Sequence, residues 1–252
     1  MYMRLVQMRI KSDAFLEMRE FYEKEVIPDL QQFHGSRSAI LIQNVQQANE
    51  CLSMTVWDDQ VSAERYGKSE LFQKLLDEVK PYLTDSQEWK VQLSSELTLE
   101  YVPLVEEPVV RAFSIEAQKN GATYRQETLR MMFVRVVVPK IRQGMLNEFK
   151  QIYTDEVIPA LYSVKGCLYA YLTEGGDENH EVLSVTIWNN RQDAQDYERS
   201  GKFDQLQEKL KHTFSDLYQW KMRLEEDAGT KVVTSEDLSV KSYQVVIGKS
   251  FT

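Results

Sequence analysis

The chain repeats itself once, at an offset of 131 residues, and this duplication constrains the fold more than any other feature. The segment LSMTVWDD around Trp57 returns as LSVTIWNN around Trp188. Without a gap, 29 of the 93 positions in residues 1–93 are identical to their counterparts in 132–224. Solenoid repeats are far shorter, at roughly 20–50 residues, so a period of this length predicts two copies of one domain.

Each copy shows the same order of predicted elements. An apolar strand precedes a helix whose proline (Pro28 or Pro159) predicts a kink or a restart, because the residue before a proline avoids the helical backbone. A glycine follows as a left-handed cap, and then come a β-hairpin, a short helix, a longer helix and a fourth strand. The predicted strands of the first copy lie at 2–10, 37–43, 51–57 and 88–93, and the fourth strand of the second copy lies at 219–224.

This order is that of a ferredoxin-like α+β domain. Each copy also has a tail with one extra predicted strand, at 110–116 and at 240–246. We therefore predict two ferredoxin-like domains, at residues 1–116 and 132–252, joined by a polar linker at 117–131.

Charge and cysteine content narrow the class of protein. The 252 residues carry a net charge of −9, which argues against nucleic acid or an anionic membrane surface as a partner, since both require clustered Lys and Arg. No apolar run long enough for a membrane span and no leader segment is visible. Cys51 and Cys167 occupy non-equivalent positions in the two copies, a pattern typical of free thiols in a reducing compartment, so we expect a cytoplasmic protein.

The spacing from VIPxL to a glycine, then to LSxTxW and to a helix with a phenylalanine resembles the antibiotic-biosynthesis monooxygenase family. In that family two ferredoxin-like subunits pair their sheets into a dimeric α/β barrel. The resemblance implies that this chain builds the barrel from its own halves as an internal pseudo-dimer, which a short linker would keep closed through a high effective concentration. It also implies a pocket for a small hydrophobic molecule between each sheet and its helices.

The resemblance includes haem-degrading enzymes, but the residues of that branch are missing here. The branch has an Asn on the first strand, a Trp on the short helix and a His one turn after the helix Phe. The corresponding positions hold Leu5 and Val136, then Tyr66 and Tyr197, and finally Leu76 and Gln207. We therefore expect no cofactor, with haem kept as an alternative ligand.

The resemblance also places the candidate site residues. Tyr66 and Tyr197 are the predicted catalytic residues, because a buried phenol can donate a hydrogen bond to a substrate oxygen. The alternative for them is a half-exposed tyrosine under the helix. The predicted substrate-binding residues are aromatic, and for the two tryptophans a purely structural core role is the alternative. They are Trp57, Trp188, Tyr22, Tyr153, Phe72 and Phe203.

Other polar residues favour structural roles. Arg4 and Arg135 recur on the first strand, where an unpaired buried charge would be costly, so we expect an ion pair with the helix glutamate Glu25 or Glu156 rather than binding of a substrate carboxylate. None of the three histidines recurs in both copies, and His212 is predicted to be a surface residue. No metal-binding, nucleotide-binding or catalytic-triad motif is present.

Two functions remain. The first is a cofactor-independent monooxygenase that acts on a small aromatic or phenolic compound, in which the substrate forms a stabilised carbanion and itself donates an electron to oxygen. The protein would supply a dry pocket and hydrogen bonds. The alternative is a non-catalytic protein of the same fold that binds a small ligand, haem included. Either function requires that large side chains do not close both pockets.

Overall fold

The computed structural model describes residues 1–93, 99–105, 107–119, 131–175, 181–215 and 238–251. Side chains are described in these ranges except at 86–105, 117–119 and 238–240. Contacts divide the chain into a first unit, Met1–Ala112 with Val246–Thr252, and a second unit, Phe113–Val245. The predicted boundaries at 116 and 132 stay a prediction, and most of the predicted linker lies outside the described residues.

The first unit is built on an antiparallel sheet whose central strand is buried along its whole length. In this sheet β3 (Glu50–Trp57) lies between β1 (Tyr2–Arg9) and β2 (Ser36–Asn44). Between β1 and β2 the chain forms α1 at Phe15–Phe21 and α2 at Ile27–Gln32. After β3 it forms α3 at Gln60–Gly67 and α4 at Glu70–Val79. A short 3-10 turn at Lys80–Tyr82 ends α4.

Two further strands of the first part of the chain form a separate hairpin. The predicted fourth strand falls within β4 (Asp85–Leu93), which pairs with β5 (Leu99–Val105) in a two-stranded sheet. It therefore does not extend the β1–β3–β2 sheet. The counterpart predicted at 219–224 lies outside the described residues.

The second unit repeats the first. Its central strand β9 (Val182–Trp188) lies between β7 (Phe133–Pro139) and β8 (Cys167–Gly175). Its helices are α5 at Leu146–Ile152, α6 at Ile158–Tyr162, α7 at Arg191–Arg199 and α8 at Lys202–Leu210, with a 3-10 turn at Lys211–Thr213.

The predicted extra strands are confirmed. They are β6 (Val109–Lys119) and β10 (Leu238–Ser250), whose residues are divided between the two units. The hydrogen-bonded strand order is β1-β3-β2-β10-β7-β9-β8-β6, which closes on itself as an antiparallel barrel. The predicted α+β class with paired sheets is thereby confirmed.

The predicted kink at the helix proline takes the form of a π-helical turn. It spans Tyr22–Val26 in the first unit and Tyr153–Val157 in the second. At its end the Ile27 N–H donates to the Tyr22 carbonyl, one residue further back than in an α-helix. Pro28 then lies in the first turn of α2, where its missing N–H leaves no helical bond broken. π-helical turns of this kind are frequent at functional sites.

The predicted left-handed glycines are also found. Gly35 has φ of 86° and Gly166 has φ of 81°, in the loop after α2 and after α6. A Cβ at Gly35 would lie 2.5 Å from Ser62 Oγ, so only glycine fits between this loop and α3. The Gly35 carbonyl accepts from the Asp58 N–H at 2.8 Å, and Gly166 repeats this bond with Asn189. These contacts fix where the short helix meets the sheet.

Candidate functional site: two equivalent clefts

Each unit has one cleft between its sheet and its helices, and the two clefts are built from equivalent positions. The first cleft, in the first unit, holds a cavity of about 50 Å³ and the second cleft one of about 60 Å³, and both open to solvent. Both clefts are therefore open but narrow. The polar and aromatic residues that recur in both walls are Arg4 and Arg135, Tyr22 and Tyr153, Ser53 and Ser184, Thr55 and Thr186, Tyr66 and Tyr197, and Phe72 and Phe203.

The predicted catalytic tyrosines both line a cleft. Tyr66 on α3 is 4% exposed and Tyr197 on α7 is 6% exposed. Neither hydroxyl has a hydrogen-bond partner among the residues that the structure describes, and neither oxygen is sealed from the cleft, so both can be reached by water or by a ligand. Burial raises the pKa of both phenols, so each stays protonated and able to donate at neutral pH. A ligand oxygen in the cleft is the acceptor that this arrangement lacks.

A second tyrosine in each cleft is held by a serine of the central strand. The Tyr22 hydroxyl lies 2.9 Å from Ser53 Oγ, and the Tyr153 hydroxyl lies 2.5 Å from Ser184 Oγ. Both tyrosines open the π-helical turn, which presents them to the cleft. Burial raises the pKa of Tyr22, and it raises the pKa of Tyr153 to about 12. These two phenols have protein partners, unlike those of Tyr66 and Tyr197.

The tryptophans lie behind the clefts. Trp57 and Trp188 are fully buried and are not part of either wall. Each indole N–H donates to a threonine of its own strand, Thr55 or Thr186, at 2.9 Å in both units. Each indole ring also lies 5.0 Å from the ring of Tyr66 or Tyr197, centroid to centroid. The tryptophans therefore orient two residues of the wall, and their predicted contact with a substrate stays a prediction.

The predicted aromatic positions at Phe72 and Phe203 do line the clefts, and each lies beside an arginine. The Arg4 guanidinium carbon lies 4.5 Å from the Phe72 ring centroid, and that of Arg135 lies 4.8 Å from the Phe203 centroid. Contacts of this kind stabilise a buried cation through the negative face of the ring. Sequence reasoning assigned these arginines to structural ion pairs and so left them out of the site.

The two arginines differ in their partners. Arg135 Nη2 lies 2.6 Å from Glu198 Oε1 on α7. Glu198 aligns with Gly67, and Arg4 has no carboxylate partner in the described part of the chain. Burial lowers the pKa of Arg4, whereas for Arg135 the carboxylate of Glu198 opposes the same effect.

The predicted ion pair with the kinked helix is thus wrong for both arginines. Glu156 instead pairs with Lys209 on the surface. The Gly67–Glu198 difference was visible in the ungapped repeat alignment, but the alignment does not show that Glu198 lies beside Arg135.

The positions of the haem-degrading branch fall partly on the clefts. Leu76 and Gln207, where that branch has its histidine, line the first and the second cleft. Arg4 and Arg135 face the clefts from the first strand of each unit, whereas Leu5 is in neither wall. No histidine or cysteine is among the described lining residues, so the walls offer no imidazole to a haem iron.

The remaining polar residues contribute no further site. His212 is half exposed and its Nε2 lies 2.8 Å from Glu148 Oε1, consistent with the predicted surface position. Among the described residues no group of three or more His, Cys, Asp or Glu side chains could hold a metal ion. Within the same ranges, none of the helices is both long enough and apolar enough to cross a membrane.

Comparison with known proteins finds a family profile that matches part of the chain. Residues 132–209, in the second unit, match the profile of the family described as antibiotic biosynthesis monooxygenase. The resemblance that the sequence motifs predicted is confirmed. No curated protein matches the chain at a significant level.

Solved structures share the fold over almost the whole chain. A suggested monooxygenase from Fusobacterium nucleatum has a TM-score of 0.68 at 9% identity and covers 99% of this chain and 94% of its own. A similarly described protein from Lactobacillus acidophilus has a TM-score of 0.63 at 9% identity, with 99% and 95% covered. An anthrone oxidase-like protein has a TM-score of 0.55 at 14% identity, with 99% and 92% covered. At these identities the similarity establishes the fold and not the activity.

Proposed function

We propose that the chain is a cofactor-independent monooxygenase that oxidises a small aromatic or phenolic compound in its clefts. The observation that carries this proposal is the pair of tyrosine hydroxyls, of Tyr66 and Tyr197, which have no protein partner among the described residues and lie in the wall of an apolar cleft. A phenol that is open to the cleft and not bonded to protein can donate to a ligand oxygen, and its presence at the same place in both units favours this role.

The cleft suits a reaction in which the substrate supplies the electrons. A methylene carbon beside a phenol ring loses a proton, and the resulting carbanion transfers one electron to dioxygen. The carbon radical and superoxide combine into a peroxide, which takes up the proton. The peroxide then loses its outer oxygen atom as water and leaves a carbonyl on the carbon. One oxygen atom enters the product, and all electrons come from the substrate.

The protein has two tasks in this scheme. The aromatic and aliphatic wall excludes water from the carbanion, and the Tyr66 or Tyr197 hydroxyl donates to the substrate oxygen on which negative charge develops. Because burial raises the pKa of these phenols, they remain donors rather than competing anions. Tyr22 and Tyr153, already bonded to serines, hold the opposite side of the cleft in place.

Oxygen consumption tests the proposal directly. The purified chain is assayed with a panel of anthrone-type and quinol-type compounds, beside the Tyr66→Phe/Tyr197→Phe double variant. We expect turnover by the wild type and a decrease of at least about tenfold in the double variant, the usual minimum effect of removing a donor to a developing charge. Tyr162→Phe, which changes an exposed tyrosine, is the matched control and should keep full turnover. Equal oxygen consumption by the wild type and the double variant would contradict the proposal.

Haem breakdown is not favoured as a second function. The wall position where the haem-degrading branch has its histidine holds Leu76 in one cleft and Gln207 in the other. A location in the cytoplasm and the absence of nucleic-acid or membrane partners remain parts of the proposal, supported by the net charge of −9.

A further inference from the structure

Arg4 is a buried cation at the wall of the first cleft that lacks a carboxylate partner. It is 6% exposed, and its Nη1 donates to the Ala63 carbonyl at 3.3 Å, its one hydrogen bond to the described residues. Its guanidinium lies over the rings of Phe72 and Tyr66, at 4.5 and 5.3 Å from the centroids. The nearest acid on α3, Glu64, forms an ion pair with Lys68 at 3.6 Å instead.

The Arg4 guanidinium cannot avoid the energetic cost of burial by losing its proton. Arginine stays charged in proteins even when burial is unfavourable, so the positive charge of Arg4 persists inside the cleft. A buried charge without a counter-ion is costly, and the surrounding rings compensate for only part of that cost. The remaining N–H groups of the guanidinium are suited to a planar anion, because their fork matches the two oxygens of a carboxylate.

In the second cleft the same arginine has a carboxylate partner, although its Nε–H is buried without a hydrogen bond. Arg135 has the same strand position and the same ring contacts, but Glu198 Oε1 lies 2.6 Å from its Nη2. In the first unit the equivalent position is Gly67, and a Cβ there would lie 3.0 Å from Arg4 Nη1 and Nη2. The Arg4 guanidinium therefore packs directly against this glycine, and a glutamate at position 67 would meet it once the guanidinium moved by a few tenths of an ångström.

We propose that the first cleft binds an anionic aromatic ligand, a carboxylate or phenolate held by Arg4, whereas the second cleft binds a neutral aromatic ligand. This inference rests on the proposed function, since it assumes that both clefts take small aromatic compounds. It assigns different substrate classes to two sites that share their scaffold. The anion occupies the position that Glu198 occupies beside Arg135, and the Tyr66 hydroxyl donates to the same ligand.

A pair of isosteric ligands tests the inference. Naphthoate and naphthamide have the same rings and nearly the same shape, but only naphthoate is charged at neutral pH. Isothermal titration calorimetry on the full chain should give one naphthoate site per chain, with naphthoate at that site bound at least about tenfold more tightly than naphthamide, as a desolvated charge pair allows. Arg4→Met should remove this preference, because methionine keeps the length and the apolar surface of the side chain but not the charge.

Exchanging the charge between the clefts makes the test reciprocal. Gly67→Glu should neutralise Arg4 and abolish tight naphthoate binding, whereas Gly67→Gln displaces the guanidinium to the same extent without adding a charge and should retain the preference for the anion. Glu198→Gln should free Arg135 and raise the stoichiometry of naphthoate from one site to two. Circular dichroism and the unchanged binding of naphthamide report that each variant is folded.

The outcomes separate this inference from the proposed function. Equal binding of naphthoate and naphthamide by the wild type, or an unchanged preference in Arg4→Met, overturns the charge assignment while oxygen consumption can still succeed. Preferential binding of naphthoate without oxygen consumption by any phenolic substrate overturns the monooxygenase and leaves the anion site standing. If neither compound binds, both proposals fail together.

Discussion

The two clefts share a scaffold and differ in charge. In both units a tyrosine of the π-helical turn is bonded to a serine, an indole N–H is bonded to a threonine, and a second tyrosine has no partner among the described residues. The arginine of the first strand, however, is paired with Glu198 in one unit and packs against Gly67 in the other. The residues that hold the walls are thus the same, whereas the residue beside the arginine is not.

This difference shows that one position outside the wall can decide whether a buried arginine has a carboxylate partner. Gly67 and Glu198 are absent from the lining of either cleft, yet they determine whether the arginine beside them is neutralised. Two other wall positions also differ: the first cleft has Leu76 and Met18 where the second cleft has Gln207 and Phe149. These exchanges adjust polarity and shape, but they do not change the net charge of the cleft.

The largest expected effect is a loss of stability when a buried tryptophan of the shared scaffold is truncated. Trp57→Ala and Trp188→Ala should each lower the free energy of unfolding by about 3–5 kcal/mol, because each deletes a fully buried ring and leaves a threonine hydroxyl without its donor. Urea unfolding followed by circular dichroism measures the loss, and Leu16→Ala, at an exposed position, is the control. If one tryptophan mattered much less than the other, the two scaffolds would not be equivalent.

The fold was predictable because the duplication supplies an internal alignment. Most hydrophobic positions of the strands and helices were seen twice, so the strand–helix order and the left-handed glycines at 35 and 166 could be assigned from the repeats. The form of the kink at Pro28 was not predictable, since a π-helical turn and a broken helix can both accommodate a proline, which has no N–H to donate. The pairing of β4 with β5 instead of with the main sheet depends on distant contacts that no local pattern encodes.

The aromatic residues of the site were predicted from the sequence, whereas its two arginines were not assigned to it. Tyr66, Tyr197, Phe72 and Phe203 were identified by their alignment with family positions that face the pocket. The arginines were recognised as buried cations, but spacing along one helix does not reveal which carboxylate is near in space. Arg135 finds its partner 63 residues along the chain, on α7, and only packing brings the two together.

Alkaline pH should destabilise both scaffolds in the same way. Burial raises the pKa of Tyr153 to about 12, from about 10 in an unfolded chain. Below pH 10 the phenol is protonated in both states, and its contribution is complete. Between pH 10 and 12 the unfolded phenol ionises while the buried one does not, so this group should reduce stability by about 2–3 kcal/mol over that range. Urea midpoints measured from pH 8 upward should fall less steeply for Tyr153→Phe than for the wild type.

The equivalent change in the first unit extends this comparison. Burial also raises the pKa of Tyr22, so Tyr22→Phe should flatten the alkaline loss in the same direction. Each phenylalanine variant loses a hydrogen bond to a serine, which lowers stability equally at all pH values below 10 and leaves the slope above pH 10 as the informative quantity. Parallel pH curves for the wild type and both variants would show that these phenols are hydrated in the native chain.

Removing the carboxylate partner of Arg135 should have an intermediate effect on the free energy of unfolding. Glu198→Gln leaves the Arg135 charge buried and should lower the free energy of unfolding by about 1–2 kcal/mol, less than for a fully buried pair because the Glu198 side chain is 44% exposed. Glu208→Gln breaks an exposed pair with Lys211 in the same unit and should change stability by less than about 0.5 kcal/mol. Equal effects of the two substitutions in urea unfolding would mean that Arg135 is solvated without Glu198, and the electrostatic contrast between the clefts would be lost.

The smallest expected effect on stability is at the hydroxyls assigned to the ligand. Tyr66→Phe removes an oxygen atom that bonds to none of the described residues, so the free energy of unfolding should change by less than about 0.5 kcal/mol, or even increase. Tyr22→Phe, which breaks the bond to Ser53, should lower it by about 1 kcal/mol and is the matched control in the same cleft. Calorimetric titration of Tyr66→Phe with naphthoate should nevertheless show weaker binding than the wild type. A hydroxyl that is neutral for folding and needed for binding is positioned for a ligand, whereas a loss of stability comparable to that of Tyr22→Phe would indicate that the Tyr66 hydroxyl is bonded within the protein.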